Sequence, residues 1–589
     1  MEMKWSLETL YPSFEDPAFE RDMAFVKESL DELTTWVDHH LGKGEHPSET
    51  VEGYLNRLLR IYHKAYRISA FANLSLSVEV KNARALKVVE RMESFLSTLK
   101  VPQVKFRRWL TGLEDFEGLF GSGGLTDEHR FVLTEWRDNG RYLLSDAEEA
   151  LAAKMAQTGS AAWAKLQNVV SSTLLVEVPL VEGVKKLPLP VVRNMAYDRD
   201  QKTRKAAFEA EIESYRSIED ASAACLNGIK GEAITLAKAR GYTSVLEKTL
   251  RDSRVEKTTL DSMLGAIRDS LPAFGRYFKK KAQLLGHPTG LPFYDLFAPI
   301  GDIDLRYTYE EAAAFIIDRF ASFSAHLSNF AKRAFENRWI DALPREGKRG
   351  GAFCYNVRVI NESRIMANFN GSFNNMTTLA HELGHGYHGE CLREQSLLNS
   401  HYTMPLAETA SIFCETIVTD AAYAQASEAA KLAILEHQIS SAAQVIVDIY
   451  SRYLFETELI QRREDGSLSV AQLKEAMKNA QMKAYGDGLA PEVLHPYMWI
   501  NKPHYYSADN NFYNFPYAFG LLFGKGLYAE YLDNREAFVD SYRQLLAETG
   551  KNTVAEIGRI AGIDVNQTVF WKKSLRMIEE KIDEFIRLA

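Results

Sequence analysis

The sequence predicts a mainly α-helical protein with a few small β elements, one of which leads into a metal-binding helix. Three observations carry that expectation. Apolar residues recur at helical spacing over most of the chain. Strand-like runs are confined to two short hairpins. Residues 381–385 read His-Glu-Leu-Gly-His, the H-E-x-x-H pattern of helical zinc hydrolases.

Taken in order, Tyr54, Leu58, Ile61, Ala65 and Ile68 keep the period of a core-facing helix. Gly121-Ser122-Gly123-Gly124 marks a loop or joint. Residues 174–178 and 186–189, joined around Gly183, read as a hairpin. After residues 197–200 a long helical series begins, in which Met263, Ile267, Leu271 and Phe274 repeat the helical period. We therefore expect a helical N-terminal region with a small hairpin over 1–199 and a catalytic region over 200–589. Within the latter, residues 352–357 and 364–367 form a second hairpin, and Asn370-Gly371-Ser372 turns the chain into the H-E-x-x-H helix, with Asn374 or Asn375 as its N-cap.

The chemistry of that helix is geometric. Positions i and i+4 share a face and lie roughly 6 Å apart along the axis. His381 and His385 can therefore converge on one Zn²⁺ at about 2 Å each. Glu382, one residue round the helix, sits beside the metal, where its carboxylate can take a proton from water. A catalytic zinc keeps three protein ligands and one open position. Pro405 suits the first turn of a following helix, on which Ala410, Phe413, Cys414 and Ile417 would face the core while Glu408 and Glu415 lie two turns apart on one side. One acid can bind the metal and the other accept a hydrogen bond from a ligand histidine. His388 lies near the same face, but three histidines on one straight helix span roughly 10 Å, too far for one ion. It is read as a substrate-facing or internally satisfied residue, and His401 stays a formal alternative ligand. The competing reading is a buried helix whose histidines only make structural hydrogen bonds.

These residues resemble the thimet-oligopeptidase-like metallopeptidases, the M3 family, most closely the oligoendopeptidase F branch. The resemblance rests on Thr378-Leu379-Ala380-His381-Glu382-Leu383-Gly384-His385 and on Glu408-Thr409-Ala410-Ser411-Ile412-Phe413-Cys414-Glu415. It implies Glu408 as third zinc ligand, Glu415 as supporting acid and Glu382 as general base. Residues 503–520 also resemble the family, whose proline-histidine step and tyrosine-rich run supply donors to the substrate carbonyl and the oxyanion. On that resemblance His504 and Tyr517 are catalytic, and Tyr506 and Tyr513 contact substrate. Ser507-Ala508-Asp509-Asn510-Asn511 reads as a polar insertion in the run, and Pro516 interrupts it. The implied fold is a two-lobed helical shell around a deep channel with zinc on its floor, which would admit unfolded oligopeptides and exclude folded proteins.

Whole-chain properties fit this reading. A length of 589 residues implies more than one core, and 46% hydrophobic with 25% charged residues is ordinary globular composition. A net charge of −9 with both signs interspersed gives no support to a nucleic-acid partner. No run approaches the roughly 18 apolar residues of a membrane helix, so no membrane partner is expected. Cys225, Cys354, Cys391 and Cys414 are too scattered for a disulfide framework and read as buried thiols. With no signal-peptide pattern at the N-terminus, they point to the cytoplasm.

The expectation is thus a zinc-dependent endopeptidase acting on short peptides, holding one Zn²⁺ per chain. The strand at 364–368, with Ala367, would hold the peptide backbone by strand addition. Two rivals remain: a zinc carboxypeptidase or dipeptidyl carboxypeptidase, for which Arg358 and Arg364 could capture a substrate terminus, and a non-catalytic peptide-binding protein with structural zinc. Oligomeric state is not legible in the sequence.

Overall fold

The computed structural model describes residues 1–41, 46–301 and 305–589. Long helices supply the frame: α1 (Pro17–His40), α2 (Pro47–Val78), α3 (Glu219–Ala239), α4 (Lys257–Leu284), α5 (Phe373–Cys391), α6 (Thr409–Gln425), α7 (Ile449–Asp465), α8 (Phe515–Asp533) and α9 (Thr568–Leu588). The expected stripe of α2 is buried from Tyr54 to Ile68, and on α4 Met263, Ile267 and Phe274 are buried with Leu271 packed at the margin. The mainly helical, two-lobed fold is what the sequence predicts.

Two hydrophobic cores define the lobes. The smaller draws on residues 5–133, where α1 packs on α2, and takes in Val357, Met366 and Leu398. The larger runs from Val176 to Phe585 and includes the packing of α4 on α9. This division does not coincide with the boundary expected at residue 199. Val176, Val178, Leu189 and Val192 bury in the larger core, because the first hairpin packs on the helix Gln201–Ser214. That hairpin joins β1 (Leu175–Leu180) to β2 (Gly183–Pro188), antiparallel, with Gly183 at a φ of 113° that suits glycine.

The second sheet carries the consequence for function. It contains β3 (Ile340–Asp341), β4 (Phe353–Val357) and β5 (Glu362–Met366), in the order β3-β5-β4. β5 pairs with β3 in parallel and with β4 in antiparallel register, Cys354 opposite Ile365. The expected hairpin is present, but β5 is its interior strand. The N-terminal segment lies against this sheet: Ala342 N–H donates to Met3 O at 2.9 Å, and Arg364 donates to Ser6 O and Thr9 Oγ1, both at 2.8 Å.

Buried ion pairs fix the helices that flank residues 503–520. Lys230 of α3, fully buried, reaches Glu456 Oε1 of α7 at 2.8 Å and Asn511 Oδ1 at 2.7 Å. It thereby anchors the polar insertion. Breaking such a pair leaves an uncompensated buried charge, at a cost of about 3–5 kcal/mol. Lys230→Met should therefore lower the thermal unfolding midpoint clearly, and the double variant Lys230→Met/Glu456→Met should recover most of the loss. Unfolding followed by circular dichroism checks both.

Candidate active site

The site grows from the start of α5. Ser372, in extended backbone, is its N-cap, and its hydroxyl accepts from Asn375 N–H at 3.3 Å. The cap is thus Ser372 rather than Asn374 or Asn375, because the Asn375 side chain is spent on the preceding turn, accepting from Asn370 N–H at 2.7 Å. Two turns further on, His381 and His385 project from one face with ring centroids 4.9 Å apart and planes at 82°. The Asn356 amide of β4 donates to the His385 carbonyl at 3.0 Å, tying the helix to the sheet.

Glu408 arrives from a break between helices. A short helix, Met404–Ala407, starts with Pro405 in its first turn, and α6 begins immediately after Glu408. Ser411 Oγ lies 2.8 Å from Glu408 Oε2 and 3.0 Å from its carbonyl, so the hydroxyl steadies the side chain. The close approach of α5 to α6 requires glycine. A methyl on Gly384 would sit 2.5 Å from Ala410 O and 2.6 Å from Ser411 Cα, and one on Gly520 of α8 would sit 2.7 Å from Glu408 Cβ.

The resulting distances match a metal site. Glu408 Oε2 lies 3.2 Å from His381 Nε2 and 3.5 Å from His385 Nε2. The edge of a tetrahedron with arms of 2.0–2.1 Å is about 3.3 Å. Among the described residues His381, His385 and Glu408 are the one group of three histidine, cysteine or carboxylate side chains with donor atoms all within 4.8 Å of one another. Two imidazoles and one carboxylate are a donor set that suits Zn²⁺. On the far side of the ring, His381 Nδ1 is 2.9 Å from Glu415 Oε2. A carboxylate only accepts, so Nδ1 carries the hydrogen and Nε2 is left facing Glu408.

The electrostatics divide His381, His385 and Glu382. Burial opposes a charge on His381, but the carboxylates of Glu408 and Glu415 outweigh it and hold the imidazolium above its ordinary pKa. Burial, assisted by His381, pushes His385 down to about 4. Glu382 is buried, and that burial is the main reason its carboxyl is lifted to about 7; Glu408 and Glu415 add to it and His381 opposes it. Its Oε2 has no hydrogen-bond partner. A desolvated carboxyl poised near neutrality is suited to proton transfer.

Of the aromatic residues singled out, His504, Tyr513 and Tyr517 assemble together. The His504 ring stacks on Tyr513 at 4.6 Å, and Tyr517 O–H donates to the Tyr513 oxygen at 3.0 Å. After burial and Tyr513, the Glu408 charge raises the Tyr517 hydroxyl, which places that phenol in electrostatic reach of Glu408. Phe512, at a φ of 52°, turns the chain just before Tyr513 in the left-handed region that L side chains rarely adopt.

The other expected residues lie elsewhere. His388 is fully buried, stacks on Tyr402 at 4.1 Å and meets Thr549 Oγ1 at 2.8 Å, so it faces the core and not a substrate. Tyr506 is buried against Ser222 and Cys225 of α3. Ala367 has no free backbone group: its N–H donates to Asp341 O at 2.9 Å and its carbonyl accepts from Lys348 Nζ at 2.6 Å. Strand addition at 364–368 is therefore blocked, because β3 already occupies that edge. Arg358 is committed to the carbonyls of Gly389, Leu392 and Gln395, and Arg364 to Glu362 and Ser6, so neither is available to a substrate terminus. Cys391 and Cys414 are buried and stand outside the His381, His385 and Glu408 cluster, and burial raises both thiols. Asn356, Ser411 and Gly520 were not foreseen; only the glycines beside the two motifs carried a visible sign of close packing.

This is a helical protein whose one described three-ligand cluster lies on an H-E-x-x-H helix and the helix break that follows. The sequence model of peptidase family M3 matches residues 194–577, and a second, described as oligopeptidase F, matches 112–174. The chain belongs to peptidase family M3 and is a peptidase. It is 24% identical to oligopeptidase PepF of Bacillus subtilis over 99% of this chain and 87% of that one. To the oligoendopeptidase F homolog of Lactococcus lactis it is 22% identical over 100% and 97%. The fold is shared with oligoendopeptidase F from Enterococcus faecium (TM-score 0.72, 19% identity, 97% and 99% coverage) and with a solved chain from Chlamydophila abortus (0.86, 22%, 100% and 98%).

Gly384→Ala tests the helix approach. Overpacking at this crossing costs about 1–3 kcal/mol and moves Glu408 away from the imidazoles. The expected result is at least a tenfold loss in zinc affinity by calorimetric titration, with the helical circular-dichroism signal retained.

Proposed function

We propose that the chain is a zinc-dependent endopeptidase that hydrolyses internal bonds of short, unfolded peptides. The observation that carries the reading is the pair of near-tetrahedral edges from Glu408 to His381 and His385, with the buried, unpartnered Glu382 oxygen in reach. His381, His385 and Glu408 would hold the ion. When bound, Zn²⁺ supplies Lewis acidity that acidifies water and polarises a carbonyl.

The chain's own residues do the rest. Glu382 takes the proton from the attacking water and returns it to the leaving amine. Glu415 keeps His381 in the tautomer that presents Nε2. Tyr517 and His504 donate to the developing oxyanion, with Tyr513 linking them. The peptide backbone has a free partner in β4, the outer strand of the sheet, rather than in β5. β4 runs past the base, since the Cys354 backbone N–H faces the Glu382 carboxylate. The names of the relatives, oligopeptidase and oligoendopeptidase F, support short peptides as substrates. Four free cysteines fit a reducing compartment, and among the described residues no helix is long and apolar enough to cross a membrane.

Glu382→Gln should retain zinc and lose about 10²–10⁴-fold in kcat; normal turnover by the zinc-loaded variant would remove the base from the mechanism. Glu408→Ala should lose zinc on dialysis, read by metal analysis, and full retention would assign the third ligand elsewhere. Because His381 holds a proton in the metal-free site, zinc binding near pH 7.5 should release about one proton. Calorimetry in buffers of different ionisation enthalpy measures it.

A further inference from the structure

Beyond the aromatic segment lies a cavity of about 260 Å³ that the catalytic reading does not use. Its walls are mixed, with Phe208, Tyr294, Phe297 and Met498 on the apolar side and Arg193, Arg452 and Lys502 on the polar side. Two carboxylates face these three cations. Glu211 pairs with Arg193 at 3.4 Å and also accepts from Tyr215 O–H at 2.7 Å. Asp448 pairs with Arg452. Arg204, a further lining residue, is spent on Asp295 at 2.7 Å. Lys502 is left over: among the described residues its ammonium has no hydrogen bond and no ion pair, and Arg452 Nε is a buried donor without a partner. Burial and the Arg452 charge together pull Lys502 down to about 7, the expected penalty for a cation lacking its counter-ion.

The cavity adjoins the segment that carries His504 and Tyr517. Lys502 is two residues from His504, on the approach to the turn Pro503–Tyr505, and its charge reaches the His504 ring. Arg452 donates to Asn514 Oδ1 at 3.1 Å, and Asn514 is the N-cap of α8, which carries Tyr517. Asp448 and Gln444 enter the cavity from the π-helical turn Gln444–Asp448, the kind of local widening that recurs at functional sites. A bare inorganic anion would meet only the polar side and leave the aromatic side uncovered. A carboxylate attached to an apolar side chain would match both features.

We propose that this cavity is a subsite for the C-terminal residue of a peptide substrate, its carboxylate paired with Lys502 and its side chain against the aromatic wall. The assignment rests on the peptidase reading and adds a preference for free C-termini to it. Charge-assisted contact with an otherwise unpaired ammonium supplies the discrimination.

The test uses two peptides of identical sequence ending in an apolar residue, one a free acid and one a C-terminal amide. The zinc-loaded protein should cleave the acid with a kcat/KM about tenfold higher or more. In Lys502→Met that ratio should fall toward one, and in Lys502→Arg it should persist; thermal unfolding of both variants shows that they are folded. Equal rates for acid and amide in the wild type, or an unchanged ratio in Lys502→Met, would overturn the proposal while leaving the peptidase reading intact. So would a preference that follows Glu over Gln within amidated peptides rather than the terminus. If neither peptide is cleaved, it is the peptidase reading that has failed, and calorimetric binding of the same pair then decides: tighter binding of the acid, lost in Lys502→Met, supports the subsite, and equal binding overturns it.

Discussion

The contact on which the site depends is the crossing of α5 and α6 at Gly384, where backbone meets backbone with no room for a methyl group. A helix alone delivers two imidazoles. The third donor must come from another element, and its position is fixed only if that element is held at backbone distance. Gly384 sets that distance from one side and Gly520 of α8 from another, so that Glu408 lies between two glycine contacts. Ser411 and Glu415 then orient the carboxylate and the first imidazole. Interiors are close-packed and transmit such displacements, so the donor distances are a property of the larger core as a whole.

The same geometry explains why the metal-free site is electrostatically tense. Glu408 and Glu415 both face His381, and the proton they hold there occupies the place a cation would take. Glu382, close by but excluded from these contacts, keeps a carboxyl whose protonation is decided by burial. His381 and Glu382 are adjacent in sequence and differ in setting, because both ring nitrogens of His381 face carboxylates while Glu382 keeps one buried oxygen, Oε2, without a partner.

What the sequence revealed follows from how local each feature is. The spacing of His381 and His385 is internal to one helix, and the burial of Ala410, Phe413, Cys414 and Ile417 is a matter of period, so both could be read directly. Helical dominance and the second hairpin were equally local. The edge of the sheet was not: β3 is only Ile340–Asp341, too short to leave a pattern, yet it closes β5 and leaves β4 as the free strand. His388 shares the helical face of His381 but lies under Tyr402 and against Thr549, and only the tertiary packing reveals that wall. Tyr506 is drawn into the core because Lys230 and Thr249 hold Asn511, fixing the insertion that follows it. The charge surplus around Lys502 is likewise non-local, since its six ionic participants come from residues 193 to 502.

Internal cleavage that needs the metal is the property that defines a zinc-dependent endopeptidase. The direct measurement is hydrolysis of a short, internally quenched peptide blocked at both ends, followed with and without a chelator and after zinc is restored. Chelator-sensitive cleavage at an internal bond, recovered with zinc, is the predicted result. Cleavage that continues undiminished in the metal-free protein, or a folded, zinc-loaded protein that leaves both blocked and free peptides intact, would contradict it.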